Sequence, residues 1–177
     1  MRDQKELVPT GQGPVSAAPS EGAAARLLAE LQHIKKSNVD KSGFSVAPVK
    51  KNLFVWEVRL FGFDGELGND MRRAGVDHIL MEVTFPPNFP FAPPFCRVVR
   101  PRFVFMTGHI TIGGSVCTEL LTQSGWIPQT TIESVIVSIR VEMMAGNGRL
   151  DLGNRQGDYT MGEAKEAFER MRKKHKW

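Results

Sequence analysis

The chain has 177 residues, 41% of them apolar and 24% charged, with a net charge of 23 − 19 = +4 at neutral pH. That length suits one domain with a short tail, and that usage is of the soluble globular kind, which excludes fibrous and largely disordered classes. The longest apolar runs, such as Ile79-Leu80-Met81 and Val135-Ile136-Val137, fall far below the roughly 18 residues of a bilayer span, and the first residues lack the apolar stretch of a secretory signal.

An intracellular protein, cytoplasmic or nuclear and not bound to membranes, is therefore expected, with Cys96 and Cys117 as free thiols. Residues 1–20 are rich in Gly, Pro, Ser and Ala without an apolar period, so they are expected to form a flexible tail ahead of a folded domain at 21–177. Ala23 to Lys36 consists of good helix formers with Leu27, Leu28, Leu31 and Ile34 on one stripe and Arg26, Glu30 and Lys35 off it, which predicts an amphipathic helix. The period then changes to two: Phe44 and Val46, Phe54 to Leu60, and Ile79 to Phe85 alternate as half-buried strands do. Turn residues at Lys51-Asn52 and from Gly62 to Asp70 join them into an antiparallel meander, and Phe95 to Val99 supplies a fourth strand.

Before that strand, 85–94 holds five prolines in ten residues and must be a stiff connection. Residues 103–125 show no sustained period and predict a long irregular segment of the kind that often carries function. Thr130 with Glu133 makes a capping box before Ile132, Val135, Ile136, Ile139 and Met143, and Thr160 with Glu163 makes another before Ala164, Ala167 and Phe168. The predicted class is α+β: an N-terminal helix, a four-stranded antiparallel meander, an irregular active-site segment, then C-terminal helices. The basic residues at the end alternate with Glu166 and Glu169 at helical spacing, which reads as a solvated face rather than a nucleic-acid surface.

Cys117 follows Gly113-Gly114 inside the irregular segment, where two glycines keep side chains away from a thiolate and offer free backbone N–H groups. A buried structural cysteine is the competing assignment on these residues alone. Cys96, between Phe95 and Arg97 in a strand, reads as core. His109 precedes Cys117 by eight positions; a cysteine and a histidine are the minimal set of a thiol hydrolase, but a histidine that only orders backbone fits as well. His33 and His78 have no ligand-spaced partners, and no phosphate-binding glycine loop is present, so no metal and no cofactor are expected.

Phe85-Pro86-x-x-Phe89-Pro90-Phe91-x-Pro93-Pro94, His109, Gly114-x-Val116-Cys117-x-Glu119-Leu120-Leu121 and Trp126-x-Pro128 occur in this order. The sequence resembles the ubiquitin-conjugating enzymes over about residues 23–150, and is most similar to their divergent Q-type branch. The resemblance implies a catalytic domain in which Cys117 forms a thioester with ubiquitin or a related modifier. An activating enzyme would supply the modifier, and a ligase or a protein substrate would receive it. It further implies that Phe91 and Pro128 face ligases, that Trp126 packs near the active loop, and that Asn147 and Asp151 lie where the family places polar groups facing the thioester. The family's His-Pro-Asn is not kept: the chain reads His109-Ile110-Thr111, with the spacing to the cysteine shorter by two. A catalytically weak or inactive variant, acting as a ubiquitin-binding or scaffold module, is the alternative that this departure supports.

Overall fold

The computed structural model describes residues 20–37 and 39–175; the expected tail lies outside them except for residue 20. Helix α1 (Glu21–Lys36) starts at Ser20, whose hydroxyl accepts from the Ala23 N–H at 3.1 Å and so satisfies one of the orphan donors of a first turn. Its buried face is Ala23, Leu27, Glu30, Leu31 and Ile34, whereas Leu28, expected on the apolar stripe, is exposed. Glu30 takes a buried place because it is paired. Its Oε1 accepts from Arg26 Nε at 2.8 Å, and its Oε2 accepts from the Ile132 N–H at 2.9 Å.

After a single turn, α2 (Val39–Ser42), the four strands β1 (Phe44–Val49), β2 (Asn52–Leu60), β3 (Ile79–Thr84) and β4 (Phe95–Arg100) form one antiparallel sheet in the order β1-β2-β3-β4. The registers set Trp56 opposite Val83 and Val58 opposite Met81, then Val83 opposite Cys96 and Met81 opposite Val98. All six side chains are buried on one face, where period-two alternation sends them. On the opposite face Glu57, Glu82 and Arg97 stand in line, and Arg97 Nε donates to Glu82 Oε1 at 3.1 Å.

The segment expected as a turn between β2 and β3 contains a helix, α3 (Gly65–Ala74). Leu67 and Met71, one turn apart, bury its inner face, and the helix stops at Gly75. Asp70, fully buried on α3, accepts from Arg149 Nε at 2.7 Å and from the Leu150 N–H at 3.1 Å. The Arg149 guanidinium holds the Asp70 carboxyl below the usual carboxylate range, against the opposing effect of burial. This pairing fixes residues 149–150, which in turn bridge Phe103.

Helix α4 (Ile132–Ala145) is capped one residue later than the sequence pattern suggests. Thr131, not Thr130, is the N-cap and accepts from the Ser134 N–H at 3.2 Å. Glu133 then falls too early to reach back and meets His33 instead at 3.1 Å; the helix start is closed by Glu30 of α1. Helix α5 (Met161–His175) does use its expected box, with Glu163 Oε2 accepting from the Thr160 N–H at 2.7 Å and Thr160 Oγ1 accepting from the Glu163 N–H at 3.2 Å. Its exposed face carries Arg170 with Glu166 and Arg172 with Glu169.

Candidate active site around Cys117

The irregular segment is more ordered than its sequence suggests. Ile110 and Val116 form an antiparallel bridge, the Thr111 N–H donates to the Ser115 carbonyl at 2.9 Å, and Ser115 bridges Arg97 of β4. Cys117 therefore leaves the end of a small hairpin attached to the sheet edge. Thr111, where the family pattern would lead one to look for the asparagine, is buried, with its Oγ1 2.7 Å from Ser115 Oγ inside the hairpin.

Gly114 does not offer the free N–H that the sequence led one to expect of it. The Gly114 N–H donates to Thr111 O at 2.9 Å, Val116 N–H to Cys96 O at 2.9 Å and Cys117 N–H to His109 O at 2.8 Å, so these three donors are used by the backbone. What requires glycine is close packing from behind. A Cβ on Gly113 would come within 2.1 Å of Glu163 O, and one on Gly114 within 2.6 Å of the Tyr159 ring. Gly114 also has φ +90, a region that side chains disfavour.

Cys117 is half-buried, whereas Cys96 is sealed in the core at 1% exposure. Burial pushes the Cys96 thiol up to about 12. Burial also raises the Cys117 thiol, and the Glu142 carboxylate, a like charge to a thiolate, raises it further. Glu142, on α4, accepts from Thr118 Oγ1 at 3.1 Å through Oε1. Sequence periodicity had marked only the apolar positions of this helix, so Glu142 escaped notice; a carboxylate between Val141 and Met143 was the available signal.

Cys117 opens on a groove of about 470 Å³ lined among others by Phe105, Met106, His109, Ile112 and, from α5, Met171 and Arg170. The structure thus brings His109 and Cys117 together. The exposed His109 has φ +57, and its ring lies beside Gly146, where a Cβ would come within 2.7 Å of Cδ2. Asn147 and Asp151 do not line this groove. Asn147 is the exposed left-handed residue that ends α4, with φ +51 and its N–H donating to Met144 O. Asp151 lines a separate cleft with Arg73 and Arg102 and accepts from Asn154 Nδ2 at 3.1 Å.

Outside this groove, Trp126 is 7% exposed, packs against Phe89 with ring centroids 6.1 Å apart, and donates from Nε1 to Pro90 O at 2.6 Å. That bond ties the proline block to the segment after Trp126. Phe91, 71% exposed, and the exposed Ile127 stand on the two tied loops, while the half-buried Pro128 directs its carbonyl to Arg26 Nη1 at 3.1 Å. Phe91 does not close the core, and Ile127 is a second exposed apolar residue that sequence reasoning missed.

The α+β arrangement of meander, sheet-edge hairpin and flanking helices is that of the ubiquitin-conjugating fold. The solved human ubiquitin-conjugating enzyme E2 G1 superposes with a TM-score of 0.57 at 24% identity, covering 75% of this chain and 98% of that one. The chain belongs to the ubiquitin-conjugating enzyme family, whose model matches residues 26–175. Within it the domain is of the Q-type. The Q-like ubiquitin-conjugating protein CG4502 of Drosophila melanogaster is 35% identical over 179 residues, covering 98% of this chain. Human ubiquitin-conjugating enzyme E2 Q1 is 36% identical over 156 residues and 84% of this chain, and the mouse Q-like ubiquitin-conjugating protein 1 is 36% identical over 152 residues, with 84% of this chain and 92% of the relative covered. The chain spans 58% of the length of the fly relative and 36% of the human one.

Proposed function

We propose that this chain accepts ubiquitin, or a related modifier, from an activating enzyme as a thioester on Cys117 and passes it to an acceptor, directly or through a ligase. The observation that carries this reading is the contrast between the two thiols in a domain of this family: Cys117 stands half-exposed at the head of a groove, and Cys96 is sealed. In loading, the Cys117 thiol loses its proton, sulfur attacks the activated carbonyl, and the thiolate of the donor leaves. Because the carbonyl arrives activated, the domain has chiefly to hold sulfur and carbonyl in register. The hairpin bonds around Cys117 and the α5 packing behind Gly113 supply that rigidity.

Phe91 and Ile127 form the surface to which ligases dock in this reading. They are large exposed apolar groups on the two segments tied by the Trp126–Pro90 bond, the kind of anchor that dominates interface energies. Incubation with activating enzyme, ATP and ubiquitin tests the proposal on gels run with and without reductant. A reducible adduct of one ubiquitin per chain, absent from Cys117→Ala, is the expected result. No adduct with any modifier tried would leave the chain as a binding module of the same fold.

A further inference from the structure

The groove that holds Cys117 carries more apolar surface than a nucleophile needs. Phe105, Met106 and Ile112, which are 62%, 80% and 59% exposed, line it from the irregular segment, and Met171 lines it from α5. Large apolar side chains gathered in water mark a contact surface. They do not sit on a slack loop. The Val104 N–H donates to Arg149 O at 2.8 Å and the Gly108 N–H to Gly146 O at 2.8 Å. Between these ties Met106 holds φ +63, a conformation that a side chain keeps only where its surroundings enforce it.

The charges on the groove have one sign. Helix α5 contributes Arg170 and Lys174, one turn apart, and no residue lining the groove carries a carboxylate. Arg170 meets Glu166 at 3.0 Å, but an exposed pair of this kind contributes little and leaves the guanidinium able to serve a second carboxylate. Lys174 has no ion-pair partner among the described residues. The volume of about 470 Å³ lies in the range, about 300–1,000 Å³, that seats a small ligand or a few side chains. Because Phe105 and Met106 stand in solvent, the groove is an open trough, which suits a chain that passes through and continues beyond it. A second copy of this chain, with net charge +4, is a poor occupant of a cationic trough.

We propose that this groove selects the acceptor: it binds an extended segment of the protein substrate whose apolar side chain lies among Met106, Ile112 and Met171 and whose carboxylates meet Arg170 and Lys174, which brings a nucleophile on that segment to Cys117. The proposal deepens the thioester reading and rests on it for the transfer, though not for the binding.

The test uses the full chain and three short labelled peptides with one central lysine. The first has leucines and glutamates around it, the second has arginines in place of the glutamates, and the third has serines in place of the leucines. Binding to the uncharged chain is followed by fluorescence anisotropy at low ionic strength, together with protection of Cys117 from iodoacetamide. Single-turnover discharge of the purified ubiquitin thioester to each peptide is divided by the same enzyme's rate to free lysine. The first peptide is expected to bind at least about tenfold tighter than the second, the gain from two exposed charge pairs, and to shield Cys117 at the concentrations at which it binds. The third should bind several-fold more weakly than the first. Arg170→Glu with Lys174→Glu should reverse the order of the first two peptides in both binding and normalised discharge, and Lys174→Glu alone, which keeps the Arg170–Glu166 pair, should go part of the way. Met106→Asn, a residue that tolerates left-handed backbone, should weaken both leucine peptides by about threefold. Thermal unfolding shows each variant folded before it is compared. Equal affinity for the first two peptides, or an unprotected Cys117 at saturation, overturns the proposal. So does protection by decanoate at lower concentration than by the peptide, which would give the groove to a small amphiphile. A thioester that discharges equally to both peptides although the uncharged chain prefers one would give it to the modifier's own tail, and also overturns it. A chain that takes up no modifier defeats the conjugating reading alone, since binding and protection still decide what the groove holds.

Discussion

The two cysteines should separate stability from reactivity in opposite directions. Cys96 is 1% exposed between β3 and the hairpin, so Cys96→Ala removes a buried sulfur worth about one methylene, ~0.8 kcal/mol, and leaves a small cavity. The sum is about 1–2 kcal/mol, or a fall in Tm of roughly 2–8 °C for a domain of this size. Its thiol, pushed up to about 12, is ionised in only about one molecule in ten thousand at pH 8, so it should escape alkylation while the domain is folded. Cys117→Ala trims a half-buried group at a groove mouth and should cost about 0.5 kcal/mol or less. Thermal unfolding, mass mapping of iodoacetamide adducts and ubiquitin loading, run on both variants, give the pattern directly. Expected is a destabilised Cys96→Ala that still loads and a stable Cys117→Ala that does not. Label on Cys96 in the folded chain, or equal destabilisation by both substitutions, would refute the assignment of one thiol to the core and the other to chemistry.

Phe91→Ala removes a ring that is 71% exposed, so it should cost less than about 1 kcal/mol of stability by unfolding, yet weaken ligase-dependent transfer by about 2 kcal/mol, near thirtyfold, in titrations against a cognate ligase. A stability loss of about 3–5 kcal/mol would instead mark a core residue. Trp126→Phe leaves Pro90 O without its donor and shrinks a buried ring, which should lower stability by about 2–4 kcal/mol and loosen both loops; denaturant unfolding measures the first and proteolysis at 86–93 the second. Asp70→Asn weakens a charge-assisted pair worth about 1.5–3 kcal/mol. Because the folded carboxyl lies below its unfolded value of about 3.9, this stability is present above that pH and lost as pH falls through the folded value; the gap to wild type should close below about pH 4, and a constant gap from pH 7 to 3 would contradict it.

Strand alternation made the sheet legible, because each of Trp56, Val58, Met81 and Val83 had to face one layer and their neighbours the other. The glycine, asparagine and aspartate content of 62–70 hid α3, since those residues favour turns in isolation; only Leu67 and Met71, one turn apart, signalled a helix, and tertiary burial outweighed propensity. The α4 cap was misplaced by one residue because Thr131, not Thr130, supplies it, with Glu30, about a hundred positions away, taking the Ile132 N–H that a capping box would not reach. The accessible position of Cys117 was legible through its irregular, glycine-flanked context, whereas the bond of Trp126 to Pro90 was not. Glu142 was not, because its meaning depends on facing Thr118 across the fold. Asn147 and Asp151 were placed by family analogy in a region where loop geometry decides, and here it turns them toward a helix end and a second cleft.

The seating of α5 on Gly113 has a consequence for motion. The amides of Gly114 and Cys117 are bonded within the hairpin and that of Val116 to Cys96 of β4, while Glu163 and Ala167 press on the hairpin's turn at Gly113. Hydrogen exchange in the active segment should then follow the undocking of α5 as one cooperative unit, with Ala164 and Ala167 setting its free energy. Cys117 is therefore held by α5 as by a latch, and whatever grips the outer face of that helix would alter how often the hairpin opens.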